Sequence, residues 1–167
     1  PCTTHLNIAA EATRVSDPGG LWDNLFTGGT YDPAVVDSGC DFSHPALVNG
    51  TGRTNFNSYY LAGGYSHPSW DDVLSSLDVQ GHGTHVTGIV AARGTTAYPT
   101  IQGLAHGVEK MVTLKAAWRS TSGDGLVVPS DAMAIIDRAL YASSQLNPSG
   151  TFLDDVDGLN NSFGSSS

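Results

Sequence analysis

Short apolar runs closed by turn residues alternate along this chain with stretches of helical period, and that alternation is what most restricts its fold. It is the pattern of a parallel sheet joined by crossover helices rather than of a meander. The first predicted strand is Pro33-Ala34-Val35-Val36-Asp37, apolar up to a carboxylate and stopped by Ser38-Gly39. A buried strand that ends this way sets its last polar residue at the edge of the sheet. From Val86 to Arg93, residues Val86, Ile89 and Val90 fall at helical spacing, with Gly94 placed to end a helix that begins at His82-Gly83-Thr84-His85.

Met111 to Trp118 predicts a second buried strand, followed by a polar, Gly-rich loop from Arg119 to Gly125. Ser130 and Asp131 can cap the next helix, in which Ile135, Ile136, Ala139 and Leu140 make an apolar face while Asp137 and Arg138 stay wet. Val156 to Gly164 supplies a third strand, and no internal repeat competes with this reading. The stretch Asn49 to Asp72 has neither period, so residues 49–76 are expected to form a surface insertion before the His-bearing helix. Its aromatic residues Tyr59, Tyr60, Tyr65 and Trp70 either pack the loop down or rim a cleft.

A length of 167 residues is one domain's worth of chain. No unbroken apolar run approaches about 18 residues, and no basic stretch precedes a short apolar one at the start, so neither a membrane span nor a retained signal peptide is expected. The mature chain is expected to be soluble. Seven Lys and Arg against 16 Asp and Glu leave a net charge of −9, which repels a nucleic-acid backbone or an anionic membrane. A charged fraction of only 14% with 20 Gly suits an exported enzyme, and a secreted or extracytoplasmic location is expected. Cys2 and Cys40 either form one disulfide or are two buried thiols.

In open parallel α/β sheets, functional groups collect at the carboxyl ends of strands and the amino ends of the helices that follow. Asp37 and His82 occupy those two kinds of place. A carboxylate beside an imidazole fixes the ring's tautomer and stabilises the imidazolium, which is how a hydroxyl nucleophile is activated. Either residue alone would be read as a helix cap or strand end. His82 and His85 could also share a metal on one helical face, but no third ligand has suitable spacing, and no metal is predicted.

The run Ala34-Val35-Val36-Asp37-Ser38-Gly39-Cys40-Asp41-Phe42-Ser43-His44-Pro45-Ala46-Leu47 resembles the aspartate motif of subtilisin-like serine proteases. Gly81-His82-Gly83-Thr84-His85-Val86-Thr87-Gly88-Ile89-Val90-Ala91-Ala92 resembles their histidine motif, and the likeness continues through Gly103-Leu104-Ala105, Met111 to Ala116, Gly123-Asp124-Gly125 and Asp157 to Gly164. The resemblance implies a three-layer, doubly wound, mainly parallel α/β fold, of which this chain would be the N-terminal portion. It implies a serine endopeptidase with Asp37 as the triad carboxylate, His82 as the general base and His85 in a structural role. Gly123, Asp124 and Gly125, together with Ser162, Phe163 and Gly164, match the two backbone segments between which the family holds an extended polypeptide substrate as an added strand.

The sequence also departs from the family pattern. The nucleophile of the family lies in a Gly-Thr-Ser motif and its side-chain oxyanion donor in a Gly-Asn segment, and neither follows the substrate strand here. The resemblance therefore implies that the serine is carried by a companion C-terminal chain of the same precursor, which stays bound because a parallel sheet missing strands exposes an edge. The alternative is a non-catalytic, subtilase-like module that binds extended peptide or serves as an interaction domain. In His44-Pro45-Ala46-Leu47, alanine replaces the aspartate with which the family often binds calcium, so no cofactor is expected at that stretch.

Overall fold

The structure, a computed structural model, describes residues 10–47, 55–59, 77–119, 125–127, 129–141 and 156–163. Its elements in chain order are β1 (Pro33–Asp37), β2 (Asn55–Tyr59), α1 (His82–Ala91), β3 (Lys110–Lys115), β4 (Ala117–Arg119), β5 (Gly125–Val127), α2 (Pro129–Tyr141) and β6 (Gly158–Asn161). Four strands form a sheet in the order β2-β3-β1-β6, and every pairing in it is parallel. β4 and β5 make a separate antiparallel pair.

Both faces of β1 are covered, which is why its sequence is continuously apolar. Ala34 and Val36 join Val112, Leu114, Ala132 and Ile135 in one cluster, on the side of α2. Val35 points the other way, into a cluster with Val86 and Ala91 of α1, Val108 and Met111. One helix thus lies on each face, and the expected three-layer α/β arrangement is the one observed. β1 sits between strands reached from opposite directions: β3 flanks it on one side and β6 on the other. The carboxyl end of β1 is therefore the switch point of the sheet, where open α/β folds build their sites.

The strand and helix predictions hold in outline and shift in detail. β1 spans the predicted residues. The run from Met111 to Trp118 is not one strand: at Ala116, whose N–H donates to the Asp37 carbonyl at 2.8 Å, the chain leaves β3 and turns to pair with Gly125–Val127. Every residue from Met111 to Trp118 is buried, so hydrophobicity alone carries no mark of the change of partner. α1 stops at Ala91 rather than near Gly94, and Ala92 leaves it in an extended conformation. Gly94 instead admits a close approach, since a Cβ there would lie 2.1 Å from the Pro99 carbonyl oxygen.

α2 starts at Pro129, a residue suited to the first helical turn, with Asp131 in that turn. The third predicted strand is ordered as β6 over Gly158–Asn161. The stretch without period, Asn49 to Asp72, contains β2, an edge strand in register with Lys110–Leu114. Its sequence Asn-Phe-Asn-Ser-Tyr carries no strict alternation, and it pairs in parallel with β3 along all five residues. The rest of the predicted insertion, residues 49–54 and 60–76, lies outside the described residues. Among the described residues, no helix is long and apolar enough to cross a membrane.

Candidate active site

Asp37 ends β1 with its side chain buried. Oδ1 accepts the N–H of Ser38 at 2.7 Å and lies 2.8 Å from Nδ1 of His82, the first residue of α1. A carboxylate can only accept, so the proton of this contact sits on Nδ1 and the ring's lone pair is left on Nε2. The His82 side chain is 47% exposed, against 2% for that of Asp37. The pair is anchored at its buried end and open at its basic one.

The first turn of α1 is docked onto the end of β1 by side chains. The N–H groups at a helix start have no partner within the helix and must find one elsewhere. Here His82 N–H donates to Gln80 Oε1 (2.8 Å), Gly83 N–H to Ser38 Oγ (2.9 Å) and Thr84 N–H to Asp78 Oδ2 (2.7 Å). Gly81 precedes them at φ 93°, a left-handed conformation that favours glycine. Gly83 is required for closeness: a Cβ there would fall 2.1 Å from the Gly39 carbonyl oxygen and 3.2 Å from Asp37 Cβ. The Gly-His-Gly sequence is thus what lets the helix start touch the strand end, and so what brings residues 45 positions apart into hydrogen-bond contact.

Asp78 was not singled out in the sequence. Its carboxylate also accepts from Ser38 Oγ (2.7 Å), Gly81 N–H (2.8 Å) and the Thr84 hydroxyl (2.6 Å). The cue lay in an Asp four residues before His82, but capping rules look at the residue next to the helix, and here that residue is glycine. Lys115, buried in β3 opposite Asp37, donates from Nζ to the Leu77 carbonyl at 2.6 Å and stands 5.0 Å from the centre of the Trp118 ring.

Cys40 is a buried free thiol, and Cys2 lies outside the described residues. Burial pushes its pKa up from 9.0 to about 12, helped by the charges of Asp78 and Asp41 and opposed by the neighbouring hydroxyls of Thr87 and Thr84. The folded chain therefore holds this proton more tightly than the unfolded one. The stability this contributes is complete below pH 9.0 and is lost as pH rises toward about 12. Iodoacetamide at about pH 8 is expected to leave Cys40 untouched in the folded protein and to alkylate it in urea, as read by peptide mass. Prompt alkylation of the folded protein would contradict this burial.

Of the six predicted substrate residues, Gly123, Asp124 and Gly164 lie outside the described residues. Gly125 opens β5 in register with Arg119. Ser162 follows β6, exposed, and its Oγ accepts from the Asn160 side chain at 2.6 Å. Phe163 is partly buried and packs against the cluster on the α2 side. His85 is exposed one turn beyond His82, so its ring has no core-packing role. The His44-Pro45-Ala46-Leu47 stretch is a turn tied to the end of α1 by the Arg93 N–H, which donates to the Ala46 carbonyl at 2.8 Å.

A strand-end carboxylate on the Nδ1 of a helix-start histidine, approached through Gly-His-Gly, is what the two sequence motifs lead one to expect. Residues 34–167 match the model of the subtilase family. The chain belongs to the subtilase family. Curated relatives in Bacillus subtilis (strain 168) include the major intracellular serine protease, 38% identical over 88 residues, and the minor extracellular protease Vpr, 29% identical over 126 residues. These matches cover 52% and 71% of this chain but 25% and 13% of the relatives. The structure of the Clostridium perfringens CspB protease is similar in fold, with a TM-score of 0.62 at 21% identity over 93% of this chain and 34% of that one. The chain thus spans about a third or less of each of these subtilases. One relative is named intracellular and another extracellular, so membership of the family does not by itself assign a compartment.

Proposed function

We propose that this chain is the Asp- and His-bearing portion of a subtilisin-like serine endopeptidase. The observation that carries the reading is the 2.8 Å contact between Asp37 Oδ1 and His82 Nδ1, which leaves Nε2 as the base. In the proposed reaction, Nε2 takes the proton of a serine hydroxyl as the oxygen attacks a peptide carbonyl, then returns it to the leaving amine. Asp37 holds the ring in the right tautomer and stabilises the imidazolium formed in between. No Gly-Thr-Ser segment occurs in the 167 residues, so in this reading the nucleophile and the oxyanion donors lie on polypeptide outside them.

The substrate is an extended polypeptide laid as a strand between residues 123–125 and 162–164, drawing affinity from main-chain hydrogen bonds and selectivity from side-chain pockets. The mechanism uses only protein groups and requires no cofactor. The low charged fraction, 14%, supports an extracytoplasmic location. The test is intact-mass analysis of the purified complete protein after treatment with a fluorophosphonate probe. A label on polypeptide that carries a serine outside these residues, and that remains associated with them, is the expected result. An unlabelled protein with no further polypeptide would overturn the reading and favour a non-catalytic peptide-binding module.

A further inference from the structure

Asp78 lies outside both sequence motifs, yet four donors converge on its carboxylate. Ser38 Oγ and Gly81 N–H reach Oδ1 at 2.7 and 2.8 Å, and the N–H and hydroxyl of Thr84 reach Oδ2 at 2.7 and 2.6 Å. Ser38 in turn accepts the Gly83 N–H at 2.9 Å. The residue after Asp37 and the residues on both sides of His82 are therefore fastened to a single side chain. The segment that carries it is itself tied down, since Lys115, the register neighbour of Asp37 on β3, donates to the Leu77 carbonyl at 2.6 Å. Thr84 closes the circuit by accepting the Asp41 N–H at 2.9 Å, back on the loop that follows β1.

We propose that Asp78 is the positioning residue that sets the His82 ring against Asp37, acting through Ser38 and the first turn of α1. This rests on the reading of Asp37 and His82 as a catalytic pair. The Asp37–His82 contact joins two elements distant in sequence, and the ring hangs from the first helical residue, so a small shift of the helix start moves Nε2 directly. Displacements on the order of 1 Å can cost about a hundredfold in rate. A carboxylate is needed because it accepts at both oxygens and donates at neither. An amide of the same shape would turn its NH2 toward one hydroxyl, which can switch to accepting, and one backbone N–H, of Gly81 or of Thr84, which is left unpaired.

The experiment compares Asp78→Asn with the wild type in the complete protease, with rates normalised to sites titrated by the fluorophosphonate. The expected result is a fall in kcat of about ten- to a hundredfold per titrated site with KM within about twofold, because the base is misplaced while the substrate strand is untouched. A purely structural role would reduce the number of titrated sites and leave kcat per site unchanged, and that outcome overturns the proposal, as does a loss that falls on KM. If Asp78→Asn does not accumulate as folded protein, Ser38→Ala removes one of the four donors and carries the same decision. About a threefold or greater loss of kcat at constant KM supports the proposal, and no loss overturns it. His82→Ala separates the two layers of inference. If that variant keeps wild-type labelling, the catalytic pair itself is misassigned; if it is inactive while Asp78→Asn turns over normally, only the positioning role fails.

Discussion

Replacing His82 with alanine is expected to lower kcat of the complete protease by about a millionfold, the loss seen when the base of a subtilisin triad is removed, and to abolish fluorophosphonate labelling. The size of the effect follows from the geometry. His82 keeps Nε2 as its free ring nitrogen, while Nδ1 is committed to Asp37 at 2.8 Å. Without the ring, a serine hydroxyl has nothing to take its proton at neutral pH. The folded state should be little affected, because the His82 side chain is 47% exposed and its backbone N–H keeps Gln80 as partner. Steady-state hydrolysis of a peptide substrate and thermal unfolding, measured on the same preparation, check both halves. Retention of more than about a hundredth of the wild-type rate would remove His82 from the role of base.

Asp37→Ala is expected to cost about ten-thousandfold in kcat, less than the loss of the base itself. In the proposed reaction the carboxylate moves no proton; it selects the Nδ1–H tautomer and lowers the energy of the imidazolium. Since the proposed reaction uses the two residues as one unit, the double variant His82→Ala, Asp37→Ala should be no slower than His82→Ala alone. Additive losses in that cycle would mean that Asp37 serves the reaction by another route. Unlike His82, Asp37 also supports the local structure through its buried side chain, whose Oδ1 accepts the Ser38 N–H. A loss of thermal stability should therefore accompany the loss of rate for Asp37→Ala and not for His82→Ala.

β1 was readable to the residue because an apolar run, a carboxylate and Ser38-Gly39 mark a buried strand and its stop. The start of α1 at His82 was readable because Gly81 and the helical spacing of Val86, Ile89 and Val90 frame it. The break at Ala116 was not, since a strand that changes partners while staying buried shows no change in hydrophobicity. Nor was β2, whose sequence Asn-Phe-Asn-Ser-Tyr has no strict period of two although it pairs along its length with β3. In the site, Asp37 and His82 stood out because their chemistry is visible in single residues with strong local context. Asp78 did not, because it caps α1 from three residues before Gly81, through a turn that only the folded chain reveals.

The most direct test of the central claim is to treat the complete protease with a peptidyl chloromethyl ketone and map the modified histidine by peptide mass spectrometry. Such a reagent, bound as a substrate strand, alkylates the histidine whose free ring nitrogen faces the reacting carbon. With Nδ1 of His82 held by Asp37 at 2.8 Å, a single adduct on His82 Nε2 is expected, formed together with the loss of activity. An adduct on His85 instead, or inactivation with His82 unmodified, would contradict the claim.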